Sequence, residues 1–405
     1  MDIKELFSIE HLEEAAEACF DGVGKRTETR NFKRHFYQNL YDIQEKVFSG
    51  DWHTGTPKKI KIQYPKERYV LDSTLTDRIY QKVLHNYCVY PKLSKTFIYD
   101  NYASVKGKGP DKACDRVCTL LRRHLYHHGM KGGILHIDIR KFFQSILHSA
   151  AYDCFSSHLE YDETDLVMEV MEKQSDVGSD KGYYPGNEMV QMLGMTILSP
   201  LDHFIKEQLH CRYYIRYMDD MLLISDDIEY LKYCLERIEF ELAKLGLEIN
   251  TNKTRFYDIS DSFLFLGYYF QLKESGKVIK TVNPQCTKHY RKKQTRLSVL
   301  VKDGVRDKNT TSDVVRQCYI AHVERGDCYK ILKNEAAFYG RLYMEDDDME
   351  YRQSTQTPRE DALHENLLSN AEQNKADIAF VAMMSGIDLL ELEDMDESRT
   401  AEEMV

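Results

Sequence analysis

Apolar positions along this chain change their period several times. Residues 8 to 22 and 30 to 49 repeat apolar side chains at steps of three and four, so Phe32, Phe36, Leu40, Ile43 and Val47 share one helix face, which reads as core packing. Lys58 to Asp72 has the pattern of a hairpin turning about Pro65, Lys66 and Glu67, and Thr74 to Tyr90 reads as a helix. Two later stretches are strand-like. Gly133 to Asp138 is an apolar run that carries a carboxylate at its end and continues through Ile139, Arg140 and Lys141 into the pair Phe142 and Phe143. Tyr213 to Ser225 is an apolar run that reaches Asp219 and Asp220 and leaves them again, a β-hairpin with acids at its turn. A helix follows Gln191 to about Leu209, and a short strand from Leu247 gives way to a polar turn closed by Lys253.

Composition changes the picture in one respect. At 405 residues and 42% hydrophobic, the chain has room for two or three domains. No apolar run is long enough to span a bilayer and the N-terminus lacks a signal peptide's basic flank and apolar core, so the expectation is a cytoplasmic protein with no membrane contact. Ten Cys without a Cys-X-X-Cys pair read as reduced core thiols rather than a zinc site. The net charge of −11 argues against a nucleic-acid enzyme until its distribution is considered. Residues 345–405 hold 18 acids and 4 bases, which leaves residues 1–344 at +3. Within 271–340, fifteen Lys and Arg face seven Asp and Glu, among them Lys288, Arg291, Lys292, Lys293 and Arg296. Such a run is a solvated face or a surface for nucleic-acid phosphates. The acidic segment reads as a linker, with amphipathic spacing returning between Ala376 and Leu392.

Adjacent Asp residues are common in turns, where they bond their own backbone, so Asp219 and Asp220 alone would be a solvated turn. Asp138, at the end of a second apolar strand, changes that reading. Three converging carboxylates suit two Mg²⁺ ions roughly 3.5 to 4 Å apart, with Mn²⁺ as a substitute, the arrangement that joins nucleotides by in-line displacement.

These residues carry a resemblance. Tyr217-Met218-Asp219-Asp220 resembles the Tyr-X-Asp-Asp box of bacterial reverse transcriptases, and Ile137 to Ile146 resembles their first palm motif. Tyr64 to Ala113, with Asp77-Arg78 and the run Asp100 to Gly109, is similar to their finger motifs; Gly182 to Leu209, Leu245 to Lys253 and Phe263 to Gly267 follow in the family's order. The resemblance covers roughly residues 30 to 340. It implies an α+β right-hand polymerase: N-terminal helices and fingers over 1–132, a palm with a small antiparallel sheet over 133–270 interrupted by a fingers insertion at about 155–185, a basic helical thumb over 271–344, and an acidic tail over 345–405. It also implies RNA-directed DNA synthesis from a DNA or RNA primer on an RNA template with dNTPs. Metal would be held by Asp138, Asp219, Asp220 and the Ile139 carbonyl. Lys66 and Arg68 would touch the incoming triphosphate, Phe143 would lie beneath the sugar and exclude a 2′-hydroxyl, and Lys253 would protonate departing pyrophosphate; in their own right two bases on a hairpin, a core Phe and a solvated turn Lys account for the same residues. Pro185 and Gln191 would lie at the nucleotide; Pro185 stands before Gly186 where many relatives have Gln, and Gly186, Asn187 and Gln191 are kept, which is similar to enzymes of diversity-generating retroelements, although Val190 stands where that branch has Ser. Retron, group II intron-like and antiviral-defence enzymes, template-independent addition, and an inactive RNA-binding scaffold are the competing readings. Lys106 and Lys108 would contact the template backbone, and Lys292, Lys293 and Arg296 the duplex. An accessory protein or oligomer is a further expected partner.

Overall fold

The computed structural model describes residues 2–21, 27–62 and 67–343. Lys66 and the amphipathic spacing of 376–392 therefore lie outside the described residues. The chain forms two compact units: one holds the described residues of Met1–Lys61, Glu67–Asp261 and Glu274–Lys277, the other those of Ile62–Lys66, Ser262–Lys273 and Val278–Val405.

Strands β1 (Lys58–Ile62) and β2 (Arg68–Asp72), all but Ile62 in the first unit, form a two-stranded sheet. The larger sheet is antiparallel and four-stranded, with β3 (Gly133–Asp138), β4 (Tyr213–Tyr217), β5 (Asp220–Ser225) and β6 (Arg255–Asp258) in the order β4-β5-β3-β6. Strands β3, β4 and β5 are buried along nearly their whole length, their apolar runs covered on both faces. Helices Pro110–His128 and Ile228–Lys244 pack against this sheet. The core continues into helices Ile9–Phe20, Phe36–Ser49, Leu75–Val83 and Glu188–Ile197. Cys88, Cys114, Cys211 and Cys234 are buried in this unit and form no disulfide, and burial pushes the Cys211 thiol up to about 12.

Several expected elements end differently. The periodic stretch 30–49 is two helices, Thr27–Arg34 and Phe36–Ser49, broken at His35, whose φ of −124° and ψ of 40° leave the helical region. The helix capped by Thr74 turns into a π-helical segment, Leu84–Val89. The helix expected to reach Leu209 does run to Gln208, but in pieces: Glu188–Ile197 behind the Asn187 cap, Ser199–His203 after a break where Pro200 lacks the N–H needed to continue the first helix, and a π-helical segment Phe204–Gln208. The strand expected from Leu247 is a single bridge, Ile139 to Ile249. Among the described residues no helix is long and apolar enough to cross a membrane.

The second unit contains an antiparallel sheet of β7 (Phe263–Phe265), β8 (Tyr268–Leu272) and β9 (Val278–Val282), and helices Pro284–Lys302, Ser312–Glu324 and Tyr329–Leu342. The segment that charge alone reads as helical thus begins in strands. Leu266 and Gly267, with φ of 47° and 84°, form the two-residue turn between β7 and β8, the sign pattern of the I′ turns that suit hairpin twist. Tyr290 stacks on Tyr319 with ring centroids 3.8 Å apart and donates to Glu335 at 2.6 Å, and Glu335 also accepts from Arg316 at 3.0 Å.

Candidate active site

Strand register brings the three acids together. In the pairing of β3 with β5, Asp138 stands opposite Asp220, and in the pairing of β4 with β5, Tyr217 stands opposite Asp220. That leaves Met218 and Asp219 as a two-residue turn. Met218 has a φ of 53°, so the turn has the II′ sign at its first position, where glycine is usual.

Asp138 is 5% exposed and its carboxylate is engaged at both oxygens. Asn250 Nδ2 donates to Oδ1 at 2.7 Å, and Lys253 Nζ donates to Oδ2 at 2.6 Å. The Asn250 main-chain N–H also donates to the Asp138 carbonyl at 2.7 Å, and Arg140 N–H donates to Glu248 at 2.8 Å. These two bonds flank the Ile139–Ile249 bridge, so Ile139's own carbonyl is not used by it. Burial and the charge of Asp220 hold the half-buried Asp219 carboxyl up to about 6, with Asp138 adding to the effect and Lys253 opposing it. Burial works against the Lys253 ammonium, but its bond to Asp138 and the charges of Asp138, Asp220 and Asp219 outweigh that and raise its pKa. His136 Nε2 lies 3.4 Å from Asp220 Oδ1.

Among the described residues no three His, Cys, Asp or Glu side chains stand ready-formed as a metal cage. The donor chemistry nevertheless suits a hard divalent cation: two facing carboxylates and a third whose pKa is raised by its neighbours form a site short of positive charge, which Lys253 supplies in part.

Phe142 is buried and Phe143 half-buried, their rings 5.0 Å apart; a Cβ on Gly194 would come within 2.9 Å of Phe143 and 3.0 Å of Phe142, so the glycine makes room for both. The Pro185 carbonyl accepts from Leu71 N–H of β2 at 3.0 Å, and a Cβ on Gly186 would stand 2.1 Å from the Leu71 carbonyl, so only glycine lets the loop meet the hairpin. Arg68 is half-buried on β2, where burial lowers its pKa. A cavity of about 360 Å³ is lined by Lys106, Lys108 and Gln191 together with Lys82, His85 and Tyr90. Ser104 Oγ donates to Gln191 Oε1 at 2.8 Å. The Lys108 ammonium donates to the Tyr99 and Asn101 carbonyls and so ties the loop together, whereas Lys106 is exposed. On the second unit's helix, Lys288, Arg291 and Lys292 are exposed, Arg296 is half-buried, and Lys293 is 7% exposed and turned to the packed side.

Sequence reasoning passed over Arg216, Asp202 and Asn250. Arg216 could have been found as a lone charge inside the apolar run Tyr213 to Tyr217, an expensive placement that demands a partner. Asn250 gives no local signal beyond its polar turn.

A family model described as "Reverse transcriptase (RNA-dependent DNA polymerase)" matches residues 58–270. Among curated proteins none matches. Similar solved structures include apo telomerase from Candida tropicalis truncated from the C-terminal domain, at 13% identity and a TM-score of 0.41 over 61% of this chain and 60% of that one. Telomerase from Candida albicans in complex with a fragment of telomeric RNA is 12% identical, with a TM-score of 0.40 over 76% of this chain and 65% of that one. The chain thus spans less than two thirds of those proteins' length.

Proposed function

The chain belongs to the reverse transcriptase family, and from that premise we propose that it is an RNA-directed DNA polymerase that extends a primer 3′-hydroxyl with dNTPs on an RNA template. The observation that carries this is the register setting Asp138 opposite Asp220 with Asp219 in the adjoining turn. Two Mg²⁺ ions, or Mn²⁺ in their place, held by Asp138, Asp219, Asp220 and the Ile139 carbonyl, would supply the positive charge that activates the hydroxyl and steadies pyrophosphate. Asn250 keeps Asp138 in place through main-chain and side-chain bonds. Lys253, protonated beside the carboxylates, carries the proton that the departing pyrophosphate takes up. Phe143 lies under the sugar, Pro185 and Gln191 border the nucleotide, Lys66 and Arg68 receive the triphosphate, Lys106 contacts the template backbone beside the cavity it shares with Gln191, and Lys108 braces that loop. Duplex phosphates fall to Lys292 and Arg296 with Lys288 and Arg291, and Lys293 supports the helix from its packed side. Fingers over 1–132, palm over 133–270, thumb over 271–344 and acidic tail over 345–405 complete the assignment.

Pro185 in place of Gln, with Gly186, Asn187 and Gln191 retained, supports a place in the diversity-generating branch, where copying is inaccurate. Primer extension on a defined RNA with Mg²⁺ tests the activity: Asp138→Asn or Asp219→Asn should abolish synthesis, and near wild-type extension by either would sink the assignment. Sequencing the copied DNA tests the branch. An error rate that is low, and equal in wild type and Pro185→Gln, would leave a retron or defence enzyme as the better reading.

A further inference from the structure

Behind the turn that carries Asp219 lies a buried ion pair that the chemistry above does not use. Arg216 on β4 and Asp202 in helix Ser199–His203 are both 0% exposed. The guanidinium meets the carboxylate twice, Nε to Oδ1 at 2.8 Å and Nη2 to Oδ2 at 2.6 Å. Two charges in a dry interior forfeit hydration that apolar residues of the same volume would not need, so such a pair is weak evidence for stability and asks for another account.

The remaining donors point to one. Arg216 Nη2 also donates to the Met195 carbonyl of helix Glu188–Ile197 at 3.0 Å, and Nη1 donates to the Met218 carbonyl at 3.0 Å. Met218 is the turn residue at φ 53°. A side-chain-bearing residue persists in that left-handed conformation only where its surroundings hold it there. The main chain of Arg216 is pinned as well: its N–H donates to the Asp100 carbonyl at 3.0 Å, and Tyr102 N–H donates to its carbonyl at 3.1 Å. Asp202 is steadied in turn by the Tyr214 hydroxyl, which donates to Oδ1 at 2.6 Å.

We propose that Arg216, oriented by Asp202, is a positioning residue: it grips the Met218 carbonyl, keeps the strained turn in its left-handed form, and so holds Asp219 beside the Asp138–Asp220 pair. This rests on the reading that those carboxylates take divalent cations for nucleotidyl transfer. The task requires a planar fork, because one edge serves Asp202 while the far nitrogen reaches Met218; a lysine ammonium supplies one point of charge and not both directions.

The test measures Mn²⁺ binding to the full chain by the electron paramagnetic resonance of the free ion, beside primer extension. Arg216→Lys keeps a cation opposite Asp202 but gives up the fork. Arg216→Met with Asp202→Leu removes both charges at once and leaves no lone buried ion. Each should keep the wild-type circular dichroism and affinity for primer-template, yet bind Mn²⁺ roughly 10- to 100-fold more weakly, as for the loss of a residue that orients a metal ligand. Extension should fall through kcat rather than through the KM for dNTP. Wild-type Mn²⁺ affinity and kcat in either folded variant would overturn the proposal. So would failure of both variants to fold, since the pair would then serve stability first. If the wild type extends no primer while the Mn²⁺ difference persists, the polymerase reading fails and the positioning role stands.

Discussion

At Asp219, burial and two neighbouring carboxylates act in the same direction and hold its pKa at about 6. A carboxyl raised in the folded state favours folding while it is protonated, and that advantage is lost as pH rises through about 6. Asp219→Asn should therefore raise the melting temperature of the metal-free protein near neutral pH, by the equivalent of on the order of 1 to 3 kcal/mol, with the gain shrinking as pH is lowered through 6 toward 4. Thermal melts across that range check it; a pH-independent gain would refute the electrostatic account. The same variant should lose Mg²⁺-dependent stabilisation. At Phe143, Phe143→Ala should open space for a 2′-hydroxyl and raise ribonucleotide incorporation roughly 10-fold or more while sparing deoxynucleotide use. Competition between ATP and dATP on one template measures this, and an unchanged ratio would return the ring to the core. The three acids are legible in the sequence because strand period and a two-residue turn decide which side chains meet. The partner of Arg216 is not: the lone charge in an apolar run marks Arg216 itself, but Asp202 comes from a helix 14 residues earlier and no local pattern names it.

Among the elements, the junction of β2 with the Pro185–Gly186 loop is set by backbone approach alone. Gly186→Ala would drive a Cβ to within 2.1 Å of the Leu71 carbonyl, so the hairpin or the loop must shift. We expect a loss of about 1 to 3 kcal/mol in urea denaturation, as for other overpacked sites, with a raised KM for dNTP if Arg68 moves with its strand. The basic helix Pro284–Lys302 offers a second measurement. Replacing Lys288, Arg291 and Lys292 with Gln should weaken duplex binding for all sequences and flatten its salt dependence by nearly one unit of slope per lost phosphate contact, whereas Lys293→Gln should act through stability. An unchanged slope would show a merely solvated face. Which lysine faces inward was not legible, because packing against Ser312–Glu324 and Tyr329–Leu342 selects the buried stripe and the charge run does not mark it. Most element types were readable from period, the strand expected from Leu247 and the strands that precede the basic helix excepted; the break at His35 depended on local backbone geometry.

For the whole molecule, charge separates along the chain rather than cancelling: residues 1–344 carry +3 and the acidic remainder −14. Ending the chain at residue 344 should therefore tighten non-specific nucleic-acid binding at low salt, an effect that a filter-binding assay against ionic strength would show vanishing as the salt rises. The strand order β4-β5-β3-β6 has a further consequence, for timing. Strand β5 pairs with both β3 and β4, yet it leaves the ribosome some eighty residues after β3. At ordinary elongation rates β3 must wait on the order of ten seconds for its partner, an apolar strand with open edges throughout. Synthesis that stalls in this interval would leave β3 as an unpaired apolar strand, an aggregation hazard that ends only when β5 emerges to pair with it.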